Sequence, residues 1–132
     1  KVRMYSDFPA LWEGWTKNWF LGLDRDIIKS IGASLIVFWM FSMPWLMLPT
    51  AGIYLSFEST QKTLLIIAIF LALLGIGLQF ALRIWTYRKF SFPTSYWWLM
   101  GLGGLIIGIL GPTSTWRSIT GKGWTWKGRS LA

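Results

Sequence analysis

RMYSDFPALWEGWTKNWFLGL, from Arg3 to Leu23, is neither uniformly apolar nor loop-like, and its reading decides what kind of protein this is. Ser6 and Asp7 offer N-cap oxygens, and Pro9 falls in the first turn, where its missing N–H costs nothing, so a helix is predicted to begin near Ser6. At about 100° per residue, Phe8, Leu11, Trp12, Trp15, Trp19 and Leu23 share one arc. Ala10, Glu13, Lys17 and Asp24 fall opposite. Tryptophan joins a large apolar body to a single N–H donor and settles where hydrocarbon meets headgroup. The stretch therefore reads as an amphipathic helix lying in a membrane surface. The competing reading, a soluble helix on a protein core, needs that core from another chain, because the sequence that follows is intramembrane in character.

Composition agrees. Only 14% of the 132 residues are charged, against about 25% in an ordinary soluble domain, while 54% are hydrophobic and 18% aromatic. The formal charge of +8 raises nucleic acid as a partner. The bases, however, sit in short clusters beside apolar runs rather than along one folded face, so membrane lipids with anionic headgroups are the expected partner and nucleic acid is not. With no Cys and no His, thiol chemistry, the commonest general base and the commonest metal ligands are missing. Catalysis by this chain alone would rest on Asp7, Glu13, Asp24, Asp26 and Glu58. The first residue is Lys and no signal peptide precedes the helix, so the chain is expected to begin mid-protein.

Outward from the helix, Gly22 to Asp26 forms a charged hinge, and no charge occurs from Ser30 to Phe57. About 20 apolar residues cross about 30 Å of hydrocarbon, which places a first span near 31–55, with Pro44 and Pro49 marking kinks or the helix end; a re-entrant pair of half-helices is the alternative. Thr63 to Leu82 gives a second span between Lys62 and Arg83, and a third runs over about 96–116. Gly75 and Gly77 in the second span read as ordinary membrane-helix composition, whereas Gly101, Gly103, Gly104, Gly108 and Gly111 suit close packing of the third against the other two. Its GLGGLIIG lies inside an apolar run, not after a strand, and is no nucleotide loop. The segment RIWTYRKFSFPTS, Arg83 to Ser95, reads as an interfacial belt with a positive cytoplasmic loop, in which Arg83, Arg88 and Lys89 meet headgroups. The tail RSITGKGWTWKGRSLA brings Trp124, Trp126, Lys127 and Arg129 to the same surface, as a ribbon too polar to span.

The expected fold is thus an all-α membrane protein: an interfacial helix and hinge over residues 1–29, three transmembrane helices over 30–116, and a basic, Trp-containing tail over 117–132. With three crossings, the amino-terminal flank and the second loop share a side and hold eight of the 13 Lys and Arg, which places the surface helix on the cytoplasmic face. The four bases of the tail pull the other way.

Asp24-Arg25-Asp26 has the D-x-D pattern by which glycosyltransferases hold a divalent metal, but it sits in the hinge rather than at a strand end, where a charged stop at the membrane surface is the simpler reading. VRMY at Val2 to Tyr5, EGWTKN at Glu13 to Asn18 and WKGR at Trp126 to Arg129, with the apolar segments in register between them, carry a resemblance. The chain resembles the C-terminal membrane region of bacterial family 2 glycosyltransferases of the carotenoid- and hopanoid-associated, lipid-glycosylating type. The resemblance implies an upstream sugar-nucleotide domain, which would supply any divalent metal, and a surface helix that closes the active site over the bacterial cytoplasmic membrane. It implies no cofactor and no catalytic residue in this chain. Such a ledge holds a lipid acceptor at headgroup level, with Arg3, Lys17 and Asn18 toward diphosphate or sugar oxygens and Trp12, Trp15 and Trp19 bordering the acceptor's entry. Arg3 and Lys17 paired only with lipid phosphates is the plainer reading of the same bases. From another class, a small non-enzymatic subunit or assembly factor that packs through its third span also fits.

Overall fold

The computed structural model describes residues 7–57, 60–121, 124–126 and 129–131, with side chains described through Gly121. It is helical. Helix α1 covers Phe8–Gly22, α2 Ile27–Phe41, α3 Met43–Phe57, α4 Lys62–Phe90 and α5 Met100–Thr120, the last preceded by a 3-10 turn at Trp97–Leu99. Strands β1, Trp124–Trp126, and β2, Arg129–Leu131, form an antiparallel hairpin with Trp124 opposite Leu131. Two compact units result: residues 1–36 with 106–132, and Val37–Leu105.

Among the described residues, α4 and the run Trp97–Thr120 are each long and apolar enough to cross a membrane. Helices α2 and α3 reach that standard only together, bent by 48° at the break between them. Each has 15 residues and rises about 22 Å, short of a bilayer's hydrocarbon. Burial is inverted relative to a water-soluble domain. Thr16, Ser30, Ser34, Ser42, Gln79, Ser114 and Thr115 are buried, while Ile66, Phe70, Leu74 and Leu78 of α4 and Trp39 and Met40 of α2 are exposed. Small and hydroxyl-bearing side chains between helices, with large apolar ones facing out, are the arrangement of membrane-embedded helices.

Three sequence boundaries are corrected. The first span is not one kinked helix over 31–55: it breaks at Ser42, two residues before Pro44, whereas Pro49 lies inside α3 without ending it. The belt at Arg83 to Phe90 is the last two turns of α4, and the helix stops only at Ser91, which takes a left-handed φ of 55° and donates its N–H to Tyr87 O. The tail stays helical to Thr120, where glycine follows with a φ of 61°. Lys122 and Lys127 lie outside the described residues.

In the second unit, Pro44 explains the break and Gln79 repairs it. Proline has no N–H to give to Met40 O, four residues back. The buried Gln79 amide of α4 supplies that donor instead, from Nε2 to Met40 O at 2.9 Å and to Phe41 O at 3.2 Å, while its Oε1 accepts from Trp45 Nε1 at 2.9 Å. Gly75, read from sequence as unremarkable, is where α4 meets Pro44: a Cβ there would lie 2.8 Å from the ring. Gly77 has open space, as expected. On the other side of the break, Ser42 Oγ donates to Gly101 O at 2.6 Å, and Gly101 and Gly104 admit the Trp45 indole and the Phe41–Ser42 backbone. Trp97 packs against Trp45 and Phe80, with ring centroids 5.6 Å and 4.9 Å away.

Candidate functional site

The candidate site lies in the first unit, where α1 is seated against the start of α2 and the end of α5. Asp7 caps α1 as expected, its carboxylate accepting from Ala10 N at 2.9 Å, with Pro9 in the first turn. At the other end the carbonyl of Phe20 accepts from Leu23 N and Arg25 N, and the chain reverses through two consecutive left-handed residues, Asp24 (φ 59°) and Arg25 (φ 57°). A non-glycine residue in that region is uncommon, and two in succession hold the turn in one shape.

The D-x-D is spoken for within this turn. Asp24 pairs with Lys29 Nζ at 3.0 Å, and Asp26 caps α2, its side chain accepting from Lys29 N at 3.0 Å. Among the described residues no three carboxylates converge on a metal-sized site.

A hydroxyl-lined seam fixes α1 in place. Ser114 Oγ of α5 accepts from Phe20 N at 3.1 Å and donates to Thr16 O. These are the N–H and C=O that an α-helix joins directly at i and i−4. One hydroxyl of α5 therefore reaches both members of a single backbone pair of α1. Beside it Ser30 and Thr115 share a hydrogen bond of 2.7 Å, and Trp19 Nε1 donates to Ser30 O at 3.2 Å. Gly111 admits Ser34 and the Trp19 ring edge. No described buried side-chain polar atom lacks a partner.

The seam runs along one flank of the arc expected to face lipid. Thr16 and Phe20 are buried against the protein; Trp12 and Trp19 are half-buried and Trp15 is exposed, so the indole arc retains surface that its own chain does not cover. Lys17 is half-buried and Asn18 exposed. Lys17 lines a groove of about 270 Å³ with Phe20, Leu21, Arg25 and Ser118. Asn18 and the three tryptophans do not line it. Arg3 lies outside the described residues.

Sequence reasoning missed Arg25, Ser114 and Ser118. Gly111, Ser114, Thr115 and Ser118 repeat at i, i+3, i+4 and i+7, a small-residue face on α5 that its periodicity displays once the helix is known to continue past Trp116.

Arg83, Arg88 and Lys89 belong to the other unit. Arg83 donates from Nε and Nη2 to Pro93 O, at 3.1 and 2.6 Å, tying the loop after α4 back to the helix. Lys89 sits 5.5 Å over the Trp85 ring, and Arg88 is exposed. Trp124, Trp126 and Arg129 are on the hairpin strands; their side chains, like Lys127, lie outside the described set. Comparison with protein-family models, with curated proteins and with solved structures gives no significant match to this chain.

Proposed function

We propose that this chain is the membrane-docking C-terminal portion of a glycosyltransferase that moves a sugar from a nucleotide-sugar to a membrane lipid such as a carotenoid or another isoprenoid-type acceptor. In this reading α2 with α3, α4 and α5 make three crossings of the bacterial cytoplasmic membrane, and α1 lies on its cytoplasmic face. An upstream catalytic domain brings the nucleotide fold and any divalent metal.

The observation that carries the reading is the seating of α1. A helix with an uncovered indole arc is pinned by Ser114 and Ser30 to helices of membrane character, and beside it Lys17 lines a groove with a second cation. A transferase acting on a lipid-dissolved hydroxyl needs its reacting atoms fixed at headgroup level, and a pinned interfacial helix supplies that position. The ordered motifs at both ends of the chain support it from sequence. The alternative, a subunit that docks on a larger complex through its third span, has less to draw on, because Gly101, Gly104 and Gly111 are occupied by contacts within the chain's own units.

The test is reconstitution. Rejoined to its upstream domain, the chain supports sugar transfer to an isoprenoid-type acceptor, and Arg3→Ala or Lys17→Ala lowers kcat/KM by about 1–3 kcal/mol of lost charge-assisted contact. Unchanged transfer in both variants, with the protein still in the membrane, makes the two bases lipid anchors and removes them from the site.

A further inference from the structure

The groove beside α1 is built by three separate pieces of chain. Helix α1 contributes Lys17, Phe20 and Leu21, the left-handed turn contributes Arg25, and the last turns of α5 contribute Ser118. Its volume of about 270 Å³ falls just below the roughly 300–1,000 Å³ of pockets that take drug-sized molecules. A small polyatomic ion is the scale of ligand it suits.

Its lining joins two cationic side chains and a hydroxyl to two apolar ones. Arg25 has no ion-pair partner among the described residues, for the neighbouring carboxylates are committed elsewhere, Asp24 to Lys29 and Asp26 to the first turn of α2. The backbone of Arg25 is fixed at the groove, since Arg25 N donates to Phe20 O at 3.0 Å and the residue has a φ of 57°. Lys17 carries three N–H donors, so a partner on one leaves others to offer. Ser118 adds a hydroxyl, and the buried Phe20 ring and half-exposed Leu21 close the apolar side.

We infer that the Lys17–Arg25–Ser118 groove binds a phosphate group, with Arg25 as its main ligand. A planar guanidinium fork matches two phosphate oxygens at once, the lysine adds a point charge, and the serine hydroxyl donates to a third oxygen. The apolar wall lets the remainder of the ligand lie toward hydrocarbon. The phosphate belongs either to a soluble diphosphate or to a lipid headgroup. The inference deepens the transferase reading by naming the group held beside α1, and rests on it only for the site's use; binding itself is independent of sugar transfer.

The experiment uses the full 132-residue chain in phosphatidylcholine nanodiscs, titrated calorimetrically with inorganic pyrophosphate and, separately, with dihexanoyl phosphatidic acid. Arg25→Asn is the informative variant, because asparagine tolerates the left-handed conformation and keeps the turn while removing the charge. It weakens binding by about tenfold, the scale of one lost charge-assisted contact, and Ser118→Ala weakens it less. Lys62→Asn, at the start of α4, leaves it unchanged. Tighter binding of pyrophosphate identifies a soluble source and tighter binding of phosphatidic acid a headgroup; either ranking upholds the site when Arg25→Asn is weakened. Absence of binding of both probes to the unaltered chain, equal affinity of Arg25→Asn with an unchanged circular dichroism spectrum, or equal weakening by Lys62→Asn overturns it. Binding without transfer in the rejoined enzyme leaves the phosphate site standing and removes the transferase reading.

Discussion

Gln79→Leu removes the side chain that stands in for the amide Pro44 lacks. Three hydrogen bonds are lost at once: two donations from Nε2, to Met40 O and Phe41 O, and one acceptance from the Trp45 indole. Side-chain hydrogen bonds within membranes average about 0.6 kcal/mol and reach about 1.7, so the loss is roughly 2 kcal/mol, with an upper bound near 5. The reference state matters, and a second substitution controls for it. In a Pro44→Ala background the amides of residue 44 and Trp45 can serve the two carbonyls directly as α2 and α3 join, leaving only the indole bond to lose. The cost of Gln79→Leu then falls to about 0.6 kcal/mol. Reversible unfolding by dodecyl sulfate in mixed micelles, followed by far-ultraviolet circular dichroism, measures both. A cost below about 0.5 kcal/mol in the natural background, or the same cost with and without Pro44, would show that Gln79 is not the proline's substitute donor.

In the first unit, Ser114→Ala costs no more than about 1 kcal/mol in the same assay, because the Phe20 N–H and Thr16 C=O stand at i and i−4 of one helix and can serve each other; a loss above about 2 kcal/mol would mean that α1 depends on the hydroxyl for its stability. Gly104→Ala destabilises by about 1–3 kcal/mol, since its Cβ would meet Phe41 Cβ at 2.9 Å and the Ser42 hydroxyl, while Gly103→Ala, with nothing within 4 Å, is neutral or stabilising by up to about 1 kcal/mol. Equal effects at the two positions would contradict the packing described.

Much of this architecture is legible from local rules. Asp7 and Pro9 announce the start of α1, and the uncharged run from Thr63 to Leu82 announces most of α4, because capping and hydropathy act within a few residues. What escaped was settled at longer range. Nothing near Pro44 in sequence says that an amide 35 positions later will satisfy the carbonyl it orphans, so an expected kink became a full break between two helices. Aromatic interleaving made Arg83 to Phe90 look like a loop, although none of its residues forbids a helix and Ser91 is what stops it. At the candidate site the reading was divided. Lys17 lies at the groove, but Arg25 was read only as part of a charged stop, since the left-handed turn that sets it there is not encoded by glycine. Ser118 was assigned to an irregular tail, and its alignment with Ser114 exists only because α5 runs on to Thr120.

The hydroxyl that α5 brings to α1 also dictates an order of events during synthesis. Phe20 and Ser114 are 94 residues apart, so at translation rates of about 5–20 residues per second the ribosome completes α1 roughly 5–20 seconds before its clamp exists. Over that interval α1 lacks its contact with α5, and Ser30 and Ser34 wait without the α5 face that later covers them. Arrival of the last helix brings one hydroxyl to both the Phe20 N–H and the Thr16 carbonyl. Of the described helices, α1 is thus made first and locked in register last, and a chain stalled before Ser114 would lack the hydroxyl that holds it.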